Sequence, residues 1–549
     1  MSRPAQPSEQ PVAFAASGRV DQLAAMAAEP LDVLVVGGGI TGVGVALDAV
    51  TRGLRVGIVE RDDWACGTSS RSSKMIHGGL RYLASGDVAV VRESLRERSR
   101  LQRNAAHLVR PLPMLLPAFG RGPLPFQRMK LGLGLWAYEA LGHRKAAGSL
   151  HEWLGVREFT RLVPGVTIKG HGGAKFRGAH SYHDASADDV RLVLAVLRTA
   201  LANGALAANG APVLRLVRDG ERVTGAVIGG DAAAAVPGAV DGELELRARV
   251  VVNATGVWAD ETLRAGAGDL PAGFRVLPSK GIHLAVRRDR VGIESGIAFF
   301  GQTDNSNVFI EPWQDDLAFI GTTDAPYSGD LRRPEVTRDE IDWLLDHVNP
   351  FLRDPLTHDD VLATWAGLRP LVAAEVETEK QSKDVSRRHL LVDRAGCITI
   401  TGGKLTAYRA MAELAVDSAM AQLGRRGASR TRDLPLEGCR PMPTSVEVDE
   451  LSGALGVSRG DARHLLRRHG SNVPHLVALV RERPELAERL HPDRPYLAVE
   501  AAWAASHEQA RDVEDVLHRR TRIALETRDP ERAAAAIEQE LAGGELVPL

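Results

Sequence analysis

Leu31-Asp-Val-Leu-Val-Val-Gly-Gly-Gly-Ile-Thr-Gly42 is the stretch on which the reading of this chain turns. Leu31 to Val36 is a short apolar run of the kind that forms a buried parallel strand. Gly37, Gly39 and Gly42 then fall where a dinucleotide fingerprint needs a tight turn, a close backbone approach to pyrophosphate, and a close helix–strand contact. Ile40 and Thr41 complete the turn, and Val43 to Val50 continues as a helix whose N-terminal amides face the phosphates. A second strand, Leu54 to Val59, ends in Glu60, 18 residues beyond Gly42. A carboxylate there accepts hydrogen bonds from ribose hydroxyls and repels a 2′-phosphate. With Arg61 beside it, Glu60 closes a cofactor-binding βαβ unit.

Downstream lies Thr68-Ser-Ser-Arg-Ser-Ser-Lys-Met-Ile-His-Gly-Gly-Leu-Arg-Tyr-Leu83, an unusual content for a connecting loop. Thr68, Ser69 and Ser73 offer hydroxyls to pyrophosphate or to loop caps, and His77 before Gly78-Gly79 suits contact with the cofactor. Two later segments extend the site. Val250 to Trp258 is an apolar strand ending in Ala254-Thr255-Gly256. Ile398 to Thr406 is a strand, then Gly402-Gly403, then a helix start at Lys404-Leu405-Thr406. A cofactor touched near residues 37, 255 and 403 is long and held by a discontinuous domain, as FAD commonly is. A helix N-terminus after Gly403 stabilises the negative charge of a reduced flavin.

These segments, together with Lys280-Gly-Ile-His283, Ile320-Gly-Thr-Thr-Asp324 and Gly367-Leu-Arg-Pro370, resemble the flavin-dependent, respiratory glycerol-3-phosphate dehydrogenases, within the D-amino-acid-oxidase-like flavoproteins. The matching pieces span roughly residues 31 to 410, and Thr68–Leu83 and Gly402–Thr406 are the most specific of them. Val513 to Arg522 also looks like that family's C-terminal helical domain. The resemblance implies oxidation of sn-glycerol 3-phosphate to dihydroxyacetone phosphate by hydride transfer to FAD N5, with electrons passed to membrane quinone. It also implies that Arg81, Arg369 and Lys404 surround the flavin.

The residues can be tested against that chemistry. A phosphate dianion needs forked or point-charge cations, so Arg81, Arg369 and Lys404 are expected to clamp it. The base that takes the hydroxyl proton is expected to be His283, since histidine titrates nearest neutrality. In the alternating run Gly281 to Val286 it faces away from Ile282 and Leu284. His77 is the competing histidine, while Tyr82 and Thr323 are expected to lend hydroxyls to the substrate. His283, Arg369 and Lys404 thus make up the expected catalytic set. The motifs leave open an oxidase that reduces oxygen to peroxide. They also leave open a flavoenzyme of the same fold acting on an amine or amino acid.

Composition bounds the rest. A net charge of −2 argues against broad nucleic-acid binding, and 44% apolar residues in 549 supply a large core. Three scattered cysteines form neither a disulfide framework nor a metal quartet, and no His/Cys/carboxylate spacing suggests a metal site. A cytoplasmic protein is expected, with peripheral contact at the inner face of the cytoplasmic membrane and a homodimer left open. Residues 126–145, apolar with basic ends, are the candidate for that contact, packing inside the protein being the alternative.

The fold class expected is α/β: a discontinuous Rossmann-like FAD-binding domain, an antiparallel substrate sheet and a C-terminal all-α domain. Residues 1–30 read as a flexible tail, 31–430 as the two catalytic domains and 431–549 as the helical domain. Asp219-Gly220 signals a hairpin within 213–228, and the Ala/Gly-rich run 229–242 reads as a flexible tip. The sequence suggests no chemistry for the helical domain.

Overall fold

The apolar run becomes the strand Leu31–Val36, flanked in parallel by Leu244–Asn253 on one side and Val56–Val59 on the other. Cys397–Gly402 pairs in parallel with Leu244–Asn253, and Leu206–Ala208 with Val56–Val59. The antiparallel His389–Arg394 ends this sheet, which the hairpin Val213–Asp219 and Arg222–Ile228 extends. This computed structural model describes residues 11–84, 86–120, 124–141, 151–168, 175–264, 275–300, 307–314, 316–373, 389–394 and 396–543.

Side chains alternate across the central strand, so both faces need cover. Val33 and Val35 pack against the helices Ile40–Thr51, Asp189–Ala202 and Tyr408–Gln422. Leu34 and Val36 pack on the other face beneath Leu23 and Met26 of the helix Arg19–Ala28. That helix corrects the expectation of a flexible tail over residues 1–30. Within its described part, Leu23 and Met26 are wholly buried and Phe14 packs against Trp64. The sheet's second face would otherwise lie bare, and an apolar helical stripe supplies its cover. The run 229–242 is also corrected: Asp231–Ala234 is a short helix whose Ala232 and Ala233 are buried in the same core, tied to Arg19 by an ion pair.

The second sheet is largely antiparallel. Its strand Arg275–Arg287 lies between Leu317–Gly321 and the long strand Val361–Ala373. One pair departs from the expected antiparallel pattern: Gly296–Phe300 runs parallel to Arg110–Gly120. After Arg430 the chain is helical, from Ser445–Leu455 to Ala534–Ala542, around a core that includes Leu465, Leu476 and Trp503. Among the described residues no helix is long and apolar enough to cross a membrane.

Candidate functional site

A cavity of about 490 Å³ runs from the ends of the parallel strands to the second sheet. Its near end is built by the fingerprint. Gly37 has a φ of +107°, and a Cβ there would sit 2.8 Å from the Ala254 carbonyl oxygen. A Cβ on Gly42 would lie 1.8 Å from the Gly37 carbonyl oxygen. Only glycine therefore lets strand, turn and helix close together. Gly39, Ile40 and Thr41 line the opening with the N-terminus of Ile40–Thr51 aimed at it.

Glu60 sits at the end of its strand in the cavity wall. Its carboxylate accepts from the Gly38 amide at 2.6 Å and the Asp62 amide at 2.9 Å, while burial raises its pKa. The guanidinium of Arg61 lies 4.9 Å from the centre of the Trp258 ring, and both residues line the cavity. Ala254, Thr255 and Gly256 enter from the neighbouring strand. Gly402, Gly403, Leu405 and Thr406 enter from the next, just before the helix Tyr408–Gln422. The three separated segments thus meet on one cavity, with the N-terminus of Ile40–Thr51 beside it. The fit to FAD is good on this geometry.

The hydroxyl-rich loop does two jobs. Thr68 Oγ1 donates to the Leu368 carbonyl at 2.6 Å, tying the loop to the second sheet. Ser69 Oγ accepts from the Ile40 amide at 3.0 Å and so caps the fingerprint helix while lining the cavity. Ser73 turns away from the nucleotide end: its Oγ is 2.9 Å from His283 Nε2. His77 lines the cavity, whereas the expected cofactor residues Gly78 and Gly79 do not. The Gly78 amide donates to Asp184, and a Cβ there would strike the Tyr138 hydroxyl at 2.2 Å, so this position serves packing. A Cβ at Gly79 would crowd Tyr82 and the Lys404 Nζ at 2.9 Å, so the glycine clears space for those two side chains.

At the far end, His283 is 3% exposed and lines the cavity. As the alternation predicts, Ile282 and Leu284 belong to the core on the other face. The imidazole stacks on Trp365 at 4.9 Å with a 6° interplanar angle. Burial drives its pKa well below the ordinary histidine value, and the Arg369 guanidinium and Lys74 ammonium add to the effect. Among the described residues its Nδ1 finds no hydrogen-bond partner.

Arg369 lines the same wall and is held by one loop. It donates to Thr322 Oγ1 and the Thr323 carbonyl at 3.2 Å each, and to Asp324 Oδ1 at 3.4 Å. Gly281 makes room, since a Cβ there would lie 2.5 Å from the guanidinium. Lys404 Nζ rests 3.8 Å from the Tyr82 ring centre and donates to Ser94 Oγ at 3.3 Å. Tyr82 also lines the cavity.

Thr323 does not belong to the substrate surface as expected. Its Oγ1 accepts from the Ile282 amide at 3.0 Å, and the residue is absent from the cavity wall. Its carbonyl orients Arg369 instead. Arg81 lies on the short helix Leu80–Ala84, but its side chain falls outside the described residues. Residues that motif reading passed over include Trp258, Glu261 and Thr262 on the wall, and Lys74 behind it. Lys74 and Trp258 lie inside the Thr68–Leu83 and Val250–Trp258 stretches, and Glu261 and Thr262 follow Trp258 within four residues, but none of the four stands in a spacing that marks it for a site.

A parallel nucleotide sheet, an elongated cavity along its strand ends and a basic, histidine-bearing far wall define a flavin-dependent oxidoreductase. The chain belongs to the FAD dependent oxidoreductase family and, within it, to the glycerol-3-phosphate dehydrogenases. The family profile matches residues 32–415, and that of the C-terminal domain of alpha-glycerophosphate oxidase matches residues 429–546. Glycerol-3-phosphate dehydrogenase 2 of Mycobacterium tuberculosis is 41% identical over 507 residues, covering 91% of this chain and 82% of the relative. A mitochondrial glycerol-3-phosphate dehydrogenase of Arabidopsis thaliana is 35% identical over 542 residues, covering 94% and 83%. The glycerol-3-phosphate dehydrogenase of Bacillus halodurans, solved with FAD, superposes with a TM-score of 0.75 at 29% identity, covering 97% of this chain and 95% of that one.

Proposed function

We propose that this flavoenzyme oxidises sn-glycerol 3-phosphate to dihydroxyacetone phosphate and passes the electrons to membrane quinone. The observation that carries the reading is the far wall of the cavity, where a buried neutral histidine stands with Arg369 and Lys404. A neutral imidazole suits removal of the hydroxyl proton, and two cations suit a phosphate dianion. The names of the relatives agree with this substrate.

FAD, when bound, supplies the acceptor for the hydride that leaves the substrate's carbinol carbon. The chain's own residues do the rest. Arg369 is held by Thr322, Thr323 and Asp324, so the phosphate meets a fork whose side-chain entropy is already spent. Lys404, laid over Tyr82, adds a point charge from the opposite motif. His283 takes the proton, with Ser73 fixing its ring and Trp365 and Phe309 screening it from water.

Delivery to a membrane acceptor is supported by the helix Leu124–Leu141. Met129, Leu133 and Trp136 are 55%, 60% and 58% exposed and recur along one face, with the exposed Arg128 beside them. An apolar stripe flanked by a cation suits the headgroup boundary of an anionic bilayer.

Anaerobic mixing of the flavin-loaded protein with glycerol 3-phosphate should bleach the flavin, and a quinone analogue should restore its colour. Bleaching by amines or amino acids alone would overturn the substrate. Peroxide released in air as fast as substrate is consumed would replace the quinone by oxygen. Trp136→Glu should weaken sedimentation with phosphatidylglycerol vesicles, and unchanged sedimentation would remove this helix from the membrane contact.

A further inference from the structure

The C-terminal helical region reaches the back of the candidate site at an irregular turn. Val513–Asp515 passes into the π-helix Val516–Arg520, and Arg519 and Arg520 of that widened turn are buried, with Arg522 just beyond it. Arg519 and Arg520 both grip Asp63, three residues after the ribose-side Glu60. Arg522, 1% exposed, donates to Asp188 and Asp189 and lies 3.4 Å from the Ser70 carbonyl. A buried guanidinium tied to two carboxylates and a backbone oxygen fixes all three in space.

Asp189 is the hub from which that order reaches the chemistry. It accepts from the Ser72 amide at 3.2 Å, the Ser72 hydroxyl at 2.7 Å and the Lys74 ammonium at 3.1 Å. Ser73, whose hydroxyl meets His283, therefore sits between two residues anchored to one carboxylate. Lys74 is fully buried and holds a φ of +57°, a left-handed conformation that a side-chain-bearing residue adopts only when its surroundings over-determine it. Its ammonium lies 5.3 Å from the Trp365 ring centre, and Trp365 carries the imidazole stack and donates to the Ser72 carbonyl at 3.4 Å. Two routes thus run from Asp189 to His283, one through Ser73 and one through Trp365.

We propose that Arg522 is a positioning residue for His283, acting through Asp189 and the Ser72–Lys74 turn, so that the helical domain completes the active site it does not line. The inference rests on the reading of His283 as the base. Arg522→Lys keeps the buried charge but cannot fork between Asp188 and Asp189. Ser72→Ala removes the hydroxyl's bond to the hub, the shorter of the two that Ser72 makes, without altering any charge.

Each variant is to be purified with its flavin, and the imidazole of His283 titrated by hydrogen exchange at its ring carbon, read by mass spectrometry. Loosening the turn admits water, so the midpoint should move up toward the ordinary histidine value in both variants. Flavin reduction by glycerol 3-phosphate should slow on the order of 10- to 100-fold at saturation, with little change in KM. An unmoved midpoint in flavin-loaded Ser72→Ala and Arg522→Lys would overturn the proposal, as would slowing explained by lost flavin alone. If wild-type flavin is not bleached by glycerol 3-phosphate, the substrate reading fails, and the titration still decides this one.

Discussion

Arg369 shows how a single side chain is set in place by its neighbours. Its fork is oriented by three groups of the loop Thr322–Asp324 on the cavity wall, the geometry on which the proposed clamp rests. Arg369→Ala should lower kcat/KM for glycerol 3-phosphate roughly 10- to 150-fold, the equivalent of one charged hydrogen bond of ~1.5–3 kcal/mol. Steady-state kinetics of the yellow, folded variant check this, and unaltered kinetics would take Arg369 out of the clamp.

His283 carries a pH consequence of known sign. Its folded pKa lies below the ordinary value of 6.5, so the unfolded chain binds the extra proton first as pH falls. The stability contributed by the neutral buried ring is present above 6.5 and is lost as pH drops through the folded pKa. His283→Gln should therefore reduce the loss of thermal stability between neutral and mildly acid pH, as read by Tm. An identical Tm profile would show that the ring does not bear this proton linkage.

Among the elements, the helix Arg19–Ala28 is the one whose importance the chain conceals. Its wholly buried Leu23 and Met26 close the second face of the nucleotide sheet. Leu23→Ala should cost about 2–5 kcal/mol, the range for removing a buried leucine side chain, measurable as a lowered denaturation midpoint. A loss below about 0.5 kcal/mol would mean the helix is a surface ornament. The composition of residues 1–30 pointed to a tail because four alanines and few large apolar residues between Arg19 and Ala28 give little periodic signal. What fixes this helix is the naked sheet face, a property of the folded partner rather than of its own residues.

For the molecule as a whole, the join between helical region and catalytic body is an array of buried ion pairs. Asp63 is held down to about 2 by Arg520 and Arg519 against its burial, and Glu508 to about 2 by Arg191 and Arg520. Carboxylates depressed in the folded state stabilise it above their unfolded values and lose that contribution as pH falls through the folded ones. The join should therefore give way between about pH 4 and pH 2, before which secondary structure persists. Acid titration followed by near-ultraviolet circular dichroism and flavin release checks the window, and Asp63→Asn should move the loss to higher pH.

Much of the candidate site was legible in the chain because its residues come in short, contiguous blocks. The fingerprint geometry at Gly37 and Gly42 admits no residue but glycine, Glu60 closes a βαβ unit of fixed length, and His283 follows from the strict alternation of a strand. The misreadings share one cause. Gly78 and Thr323 sit in motifs next to true cavity residues, yet each is turned to packing or backbone support by contacts with Tyr138 and Ile282. Local sequence determined the nucleotide fold, the cofactor class and the residues that converge on the far end of the cavity. Only the tertiary structure decided that Arg522 braces the turn behind His283 and that an N-terminal helix seals the sheet. Arg522 meets Asp189 across 333 residues, and the helix covers a sheet face that exists only once the strands around Leu31–Val36 have assembled; burial and ion pairing of that kind leave no period or spacing in a sequence.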